Sequence, residues 1–134
     1  HCPRTDDSLG MFGAEEFRAM KDTAVFVTTA RGGITDEAAL AAALIEGDIL
    51  AAGVDVFWEE PPGPDHPLMA LDNVLVTPHH AGITTEANRN MSVGAAEQWI
   101  DILRGKRPPR LVNPEVWPAY QDRFERILGF CPED

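Results

Sequence analysis

Three side chains in this chain have the types and positions for chemistry on a small carbonyl acid. Arg31 stands in Thr29-Ala30-Arg31-Gly32-Gly33, Glu60 directly precedes Pro61, and His79 directly follows Pro78. The planar guanidinium of an arginine meets a carboxylate with two parallel N–H donors, which a lysine cannot do. A histidine titrates near working pH and suits the delivery of a proton to a carbonyl oxygen while hydride reaches the carbon. A carboxylate paired with that histidine holds its tautomer and favours the imidazolium, and Glu60 is the natural orienter. Reducing a keto acid needs those residue types. Taken singly, each has an ordinary reading: a surface arginine, a solvated glutamate, a histidine in a turn. Their joint placement carries the argument, because all three fall just past a predicted strand.

The elements that must place them are legible in the apolar pattern. Gly13 caps a short helix over 14–20, with Phe17 and Met20 on one face. Residues 24–28 form a continuous apolar run, which reads as a strand buried on both faces of a parallel sheet. Thr35 is the expected cap of a second helix, with Asp36 and Glu37 in its first turn, Leu40 and Leu44 on one face and Gly47 as its stop. A second strand is predicted over 51–57 and gives way to Glu59-Glu60-Pro61-Pro62-Gly63-Pro64, where three prolines forbid regular structure. A third, over 74–77, precedes Pro78. From Thr84 or Thr85 a long helix should run to about Arg104, its buried stripe marked by Ala87, Met91, Ala95, Trp99 and Leu103, with Gly105 and Pro108-Pro109 closing it. Beyond it Trp117, Tyr120 and a short amphipathic stretch over 122–128 read as packing residues.

Helix, strand, helix, strand, strand, helix with short connections is the alternation of an α/β doubly wound parallel sheet. Ligands in such sheets bind outside the carboxyl ends of the strands, which singles out the loops of Arg31, Glu60 and His79.

Composition narrows the partners. With 134 residues, 44% of them hydrophobic, the chain holds one domain or a piece of one. A formal net charge of -11 argues against nucleic acid or an anionic membrane surface and toward a small molecule or a protein. Cys2 and Cys131 lie far apart, with no metal-ligand spacing and no disulfide framework, so a reduced, cytoplasmic setting is the default and no metal is expected. No apolar run reaches the ~18–20 residues of a membrane span. The chain opens His1-Cys2-Pro3 rather than with Met and reads as a fragment, expected to be inactive by itself.

The stretch "TTARGGITDEAALAAALIEGDILAAGVDVFWEEPP", followed by "PLMALDNVLVTPHHAGIT", resembles the signature region of the D-isomer-specific 2-hydroxyacid dehydrogenases, the family of phosphoglycerate dehydrogenase and hydroxypyruvate/glyoxylate reductase. The resemblance spans about residues 3–84 and several spaced motifs in order, a far more specific signal than a lone glycine pattern. It implies the C-terminal half of a Rossmann-type dinucleotide-binding domain over 1–105, including the long closing helix, and a tail over 106–134 that packs on a substrate domain. It implies Arg31 as substrate-binding arginine and Glu60 with His79 as the acid/base dyad. It also implies that Asp55 contacts the nicotinamide carboxamide, that Cys2, Thr29, Ala30, Arg31 and His79 line the cofactor, and that Gly82 closes the same pocket. Thr28 stands where the family commonly has Asn, and His80 where an apolar residue is usual. Neither the GxGxxG turn nor the ribose-reading acid occurs here, so NAD and NADP both stay open, as does the identity of the hydroxy acid.

The resemblance further implies a homodimer. Two rival readings share the fold: formate dehydrogenase, in which Gln replaces the dyad Glu, and NAD-responsive corepressors of the C-terminal-binding-protein type. Glu60 favours a hydroxy or keto acid substrate over formate, and the acidic balance favours an enzyme over a corepressor.

Overall fold

The computed structural model describes residues 1–132. They divide into two compact units, His1–Gly82 and a second that begins at Ile83. The first holds α1 (Ala14–Arg18), β1 (Val25–Thr28), α2 (Glu37–Glu46), β2 (Ala51–Val54), a 3-10 turn over Pro67–Ala70 and β3 (Val74–Val76). The three strands pair in the order β1-β2-β3, all parallel. Parallel neighbours need a crossover, and α2 supplies the first. The second crossover carries no α-helix, only the proline-rich excursion and its 3-10 turn.

Apolar residues of α1, α2 and the 3-10 turn close over one face of this sheet. Phe17, Leu40, Ile49 and Leu68 are its fully buried large side chains, packed with Ala52, Val54 and Phe57. Each such side chain contributes ~1.5–3 kcal/mol by leaving water. The opposite face is bare within this unit: Val25, Val27 and Leu75 are 59%, 60% and 71% exposed. The expectation of β1 buried on both faces is therefore corrected. Its apolar run marks both faces for burial, but His1–Gly82 supplies a helical layer for only one.

Four element ends also shift. Asp36, not Thr35, caps α2, its Oδ1 accepting the N–H groups of Ala38 and Ala39 at 3.0 Å each. Thr35 is drawn into a bridge with Phe12 and its hydroxyl lies buried without a partner. β2 stops at Val54 rather than at 57. Val56 and Phe57 are buried all the same, so the apolar run there records burial rather than ladder pairing. α1 ends at Arg18, and β3 one residue short of Thr77.

In the second unit α3 (Thr85–Leu103) is capped by Thr84, whose hydroxyl accepts the N–H of Ala87, and α4 spans Trp117–Leu128. The stripe over α3 is one face of a helix, yet α3 has no buried residue, and Met91, Trp99 and Leu103 are all more than half exposed. Spacing defines a face, whereas burial needs a second surface, and at the end of α3 Tyr120 of α4 is what reaches it. Tyr120 stacks on Trp117 with ring centroids 4.9 Å apart and donates its hydroxyl to the Ile102 carbonyl at 2.9 Å. Burial pushes the Tyr120 phenol up from its ordinary value. Trp117 and Tyr120 are packing residues, as their sequence context implied.

Candidate active site

Arg31, Glu60 and His79 follow the carboxyl ends of β1, β2 and β3, and because the strands are parallel neighbours their loops emerge at one edge of the sheet. Glu60 and His79 meet there. His79 Nδ1 lies 2.8 Å from Glu60 Oε2, and the N–H of Phe57 donates to Glu60 Oε1 at 3.0 Å. The hydrogen bond with His79, then that from Phe57, holds the Glu60 carboxyl below the usual carboxylate range; the charge of Arg31 adds to the effect. A cleft of about 510 Å³ opens against the dyad, lined by Asp55, Phe57, Glu60, Met69, Thr77 and His79 with four further residues.

The turn that presents His79 is held from one residue, Asp55. His79 sits at φ +55, a left-handed conformation that is uncommon outside glycine. Its N–H donates to the Asp55 carbonyl at 2.9 Å. The Asp55 carboxylate then accepts three further bonds: Thr77 Oγ1 at 2.5 Å, His80 N–H at 2.8 Å and Ala81 N–H at 3.0 Å. Burial works to raise the Asp55 pKa, but these three bonds together with the charge of His79 outweigh it and the net direction is down. The sequence reading marked Asp55 for the cofactor and missed this hold, together with Thr77. A buried Asp at the end of an apolar strand is the signal that pointed to it.

The Arg31 loop is shaped by packing. A Cβ at Gly32 would lie 1.8 Å from the Phe57 carbonyl oxygen, and one at Gly33, where φ is +82, would lie 2.3 Å from the Trp58 ring. With no side chains of their own, the two glycines leave room beside the backbone. That room is filled by the β2 loop. Arg31 itself is exposed, bonding among the described residues only to the neighbouring Ala30 carbonyl, at 2.7 Å.

A second cleft, of about 680 Å³, is lined by His1, Cys2, Pro3, Arg4, Thr29, Ala30 and Arg31. His1 Nδ1 and Thr29 Oγ1 lie 3.1 Å apart at its wall. Two arginines, a hydroxyl and backbone groups with no carboxylate form a donor set that fits an anionic dinucleotide. Gly82 lines neither cleft, and His80 contributes its backbone while its ring is exposed. Among the described residues no group of three or more His, Cys, Asp or Glu stands ready for a metal ion, and no helix is long and apolar enough to cross a membrane.

Adjacent parallel strands with the polar groups of successive loops gathered at their carboxyl edge define a doubly wound, nucleotide-binding type of sheet. The chain belongs to the D-isomer specific 2-hydroxyacid dehydrogenase family: residues 1–81 match its NAD binding domain. It is 47% identical to a glyoxylate reductase of Aeropyrum pernix over 92% of its length, and covers 37% of that protein. It superposes on a D-lactate dehydrogenase with NAD+ from Lactobacillus jensenii with a TM-score of 0.77 and 32% identity, over 84% of this chain and 38% of that one. A 2-hydroxyacid dehydrogenase of Xanthobacter autotrophicus in complex with NADPH and MES gives a TM-score of 0.71 at 39% identity, over 85% of this chain and 46% of that one. The chain thus spans about a third of the length of the glyoxylate reductases it matches.

Proposed function

We propose that the full-length protein is an oxidoreductase that moves hydride between NAD(P)H and a small 2-keto acid, giving a D-2-hydroxy acid, and that this chain carries its acid/base and carboxylate-binding residues. The observation that carries the reading is the 2.8 Å contact of Glu60 with His79 at the sheet edge that also bears Arg31. Cys2, Thr29, Ala30 and Arg31 hold the dinucleotide, with Asp55, His79 and Gly82 on its nicotinamide side; NAD(P)H bound there supplies the hydride.

Arg31 binds the substrate carboxylate through its two-pronged face, and its exposure leaves that face available. Glu60 occupies His79 Nδ1, which leaves Nε2 to give a proton to the carbonyl oxygen. Because its pKa is held down, Glu60 stays ionised and the proton comes from the imidazolium. The resemblance to a glyoxylate reductase favours a short keto acid as the substrate of this protein. A homodimer in the cytoplasm, with the long helix closing the dinucleotide domain and the tail over 106–134 packed on the substrate domain, completes the proposal; light scattering at micromolar concentration that returned a monomer would remove the dimer from it.

The deciding experiment is His79→Ala in the full-length protein, assayed with glyoxylate or hydroxypyruvate and NADH or NADPH. Turnover should fall by ~10²–10⁴ while the reduced dinucleotide still quenches protein fluorescence on binding. Reduction at the parent rate would sink the proposal.

A further inference from the structure

Glu37, which the proposed chemistry does not use, reaches across to the loop that carries Glu60. It opens α2, yet both of its carboxylate oxygens are engaged outside that helix. Oε1 accepts the N–H of Trp58 at 2.6 Å, and Oε2 lies 2.9 Å from His66 Nε2. The tautomer follows from the other ring nitrogen: His66 Nδ1 accepts the Leu68 N–H at 3.3 Å, so the ring proton sits on Nε2 and is donated to Glu37. Both side chains are largely shielded, 18% and 19% exposed.

One carboxylate therefore grips both ends of the 58–66 excursion, and Glu60 projects from the stretch between. Three prolines stiffen that stretch, so its ends govern its middle. The consecutive N–H groups of Phe57 and Trp58 are aimed at two carboxylates, Glu60 and Glu37, while the Phe57 carbonyl is wedged against Gly32. A rotation of this segment that frees the Trp58 N–H would also turn the adjacent Phe57 N–H that holds Glu60.

We propose that Glu37 is a positioning residue for the Glu60–His79 dyad, acting by fixing the two ends of the 58–66 loop through Trp58 and His66. The inference rests on the acid/base reading of that dyad. Glutamine is the informative replacement. It offers one acceptor oxygen to two incoming N–H donors, and its amide N–H groups face the other; His66 cannot exchange tautomers without losing Leu68. One grip must break.

The test uses the full-length protein with glyoxylate and whichever of NADH or NADPH the parent oxidises, following kcat and KM across pH. Glu60→Gln is the reference: it removes the anion beside the imidazolium, so the alkaline limb of keto-acid reduction should move to lower pH. Glu37→Gln should move the limb the same way, with kcat down about tenfold, as for one lost charged hydrogen bond, and KM for glyoxylate within about twofold. His66→Asn, which leaves the Trp58 grip, should do the same by less. Adding Glu37→Gln to Glu60→Gln should cost little more than Glu60→Gln alone, since both act through one pair. If Glu60→Gln moves the limb while Glu37→Gln lowers only the melting temperature, Glu37 is merely a brace and the proposal is overturned. If Glu37→Gln does not fold, His66→Asn decides by the same criteria. If Glu60→Gln leaves the limb in place, the dyad reading itself fails and this inference falls with it.

Discussion

The Arg31 loop and the His79 turn both follow a strand of the same sheet, but they are held by different forces. Around Arg31 the constraint is steric: Gly32 and Gly33 lie under Phe57 and Trp58 with no space for a Cβ, while the arginine side chain is exposed and bonded only to its neighbour's carbonyl. Around His79 the constraint is polar. Asp55 supplies a carbonyl and a carboxylate that together accept four hydrogen bonds from 77–81, and Glu60 holds the ring. A residue that clamps a mobile anion works from a rigid backbone with a free side chain. A residue that passes a proton needs its ring oriented too, and hydrogen bonds give direction where packing gives only place.

The comparison breaks first at Gly32. Gly32→Ala sets a methyl against the Phe57–Trp58 peptide, so the loss of stability should exceed the ~1–3 kcal/mol of ordinary overpacking; a denaturation midpoint equal to the parent's would show that the β2 loop yields and that packing does not shape this loop. Asp55→Asn comes next. It turns one acceptor into a donor facing other donors, at a cost of ~1–3 kcal/mol, with turnover falling as the His79 turn loosens. The pH dependence fixes the sign. The folded Asp55 pKa is depressed, so its stabilisation is full above the ordinary carboxylate pKa of ~3.9 and is lost as pH falls through the lower folded value. Thermal melts of parent and Asp55→Asn should be well separated at pH 7 and converge in acid; a separation independent of pH would mean that the charge of Asp55 is not what holds the turn.

Arg31→Lys keeps the charge and loses the fork. In the full-length protein KM for the keto acid should rise about tenfold, the ~1.4 kcal/mol of a charge-assisted bond, while stability changes by less than ~0.5 kcal/mol. A large loss of stability would place Arg31 in the packing and erase the contrast with Gly32. The smallest effect separates two replacements of His79. His79 is left-handed, so His79→Gly should be more stable than His79→Ala by ~1 kcal/mol, read by chemical denaturation. Equal stabilities would mean that the turn relaxes to an ordinary conformation once the ring is gone.

What the amino-acid sequence determined by itself was local in origin. Apolar runs placed β1, β2 and β3 within a few residues; a 3.6-residue period with Gly47 as a stop placed α2; the positions of Arg31, Glu60 and His79 just past strands marked them as candidates. Only the tertiary structure decided that Asp36 rather than Thr35 caps α2, that β2 leaves its ladder at Val54, and that the room above Gly32 and Gly33 belongs to Phe57 and Trp58. It alone showed Asp55 gripping the turn of His79, and Glu37 gripping the loop of Glu60. Propensity and periodicity act between residues a turn or a strand apart, whereas these contacts join loops brought together by the parallel sheet. A carboxylate's partners, and the space beside a glycine, exist only once the strands have set those loops side by side.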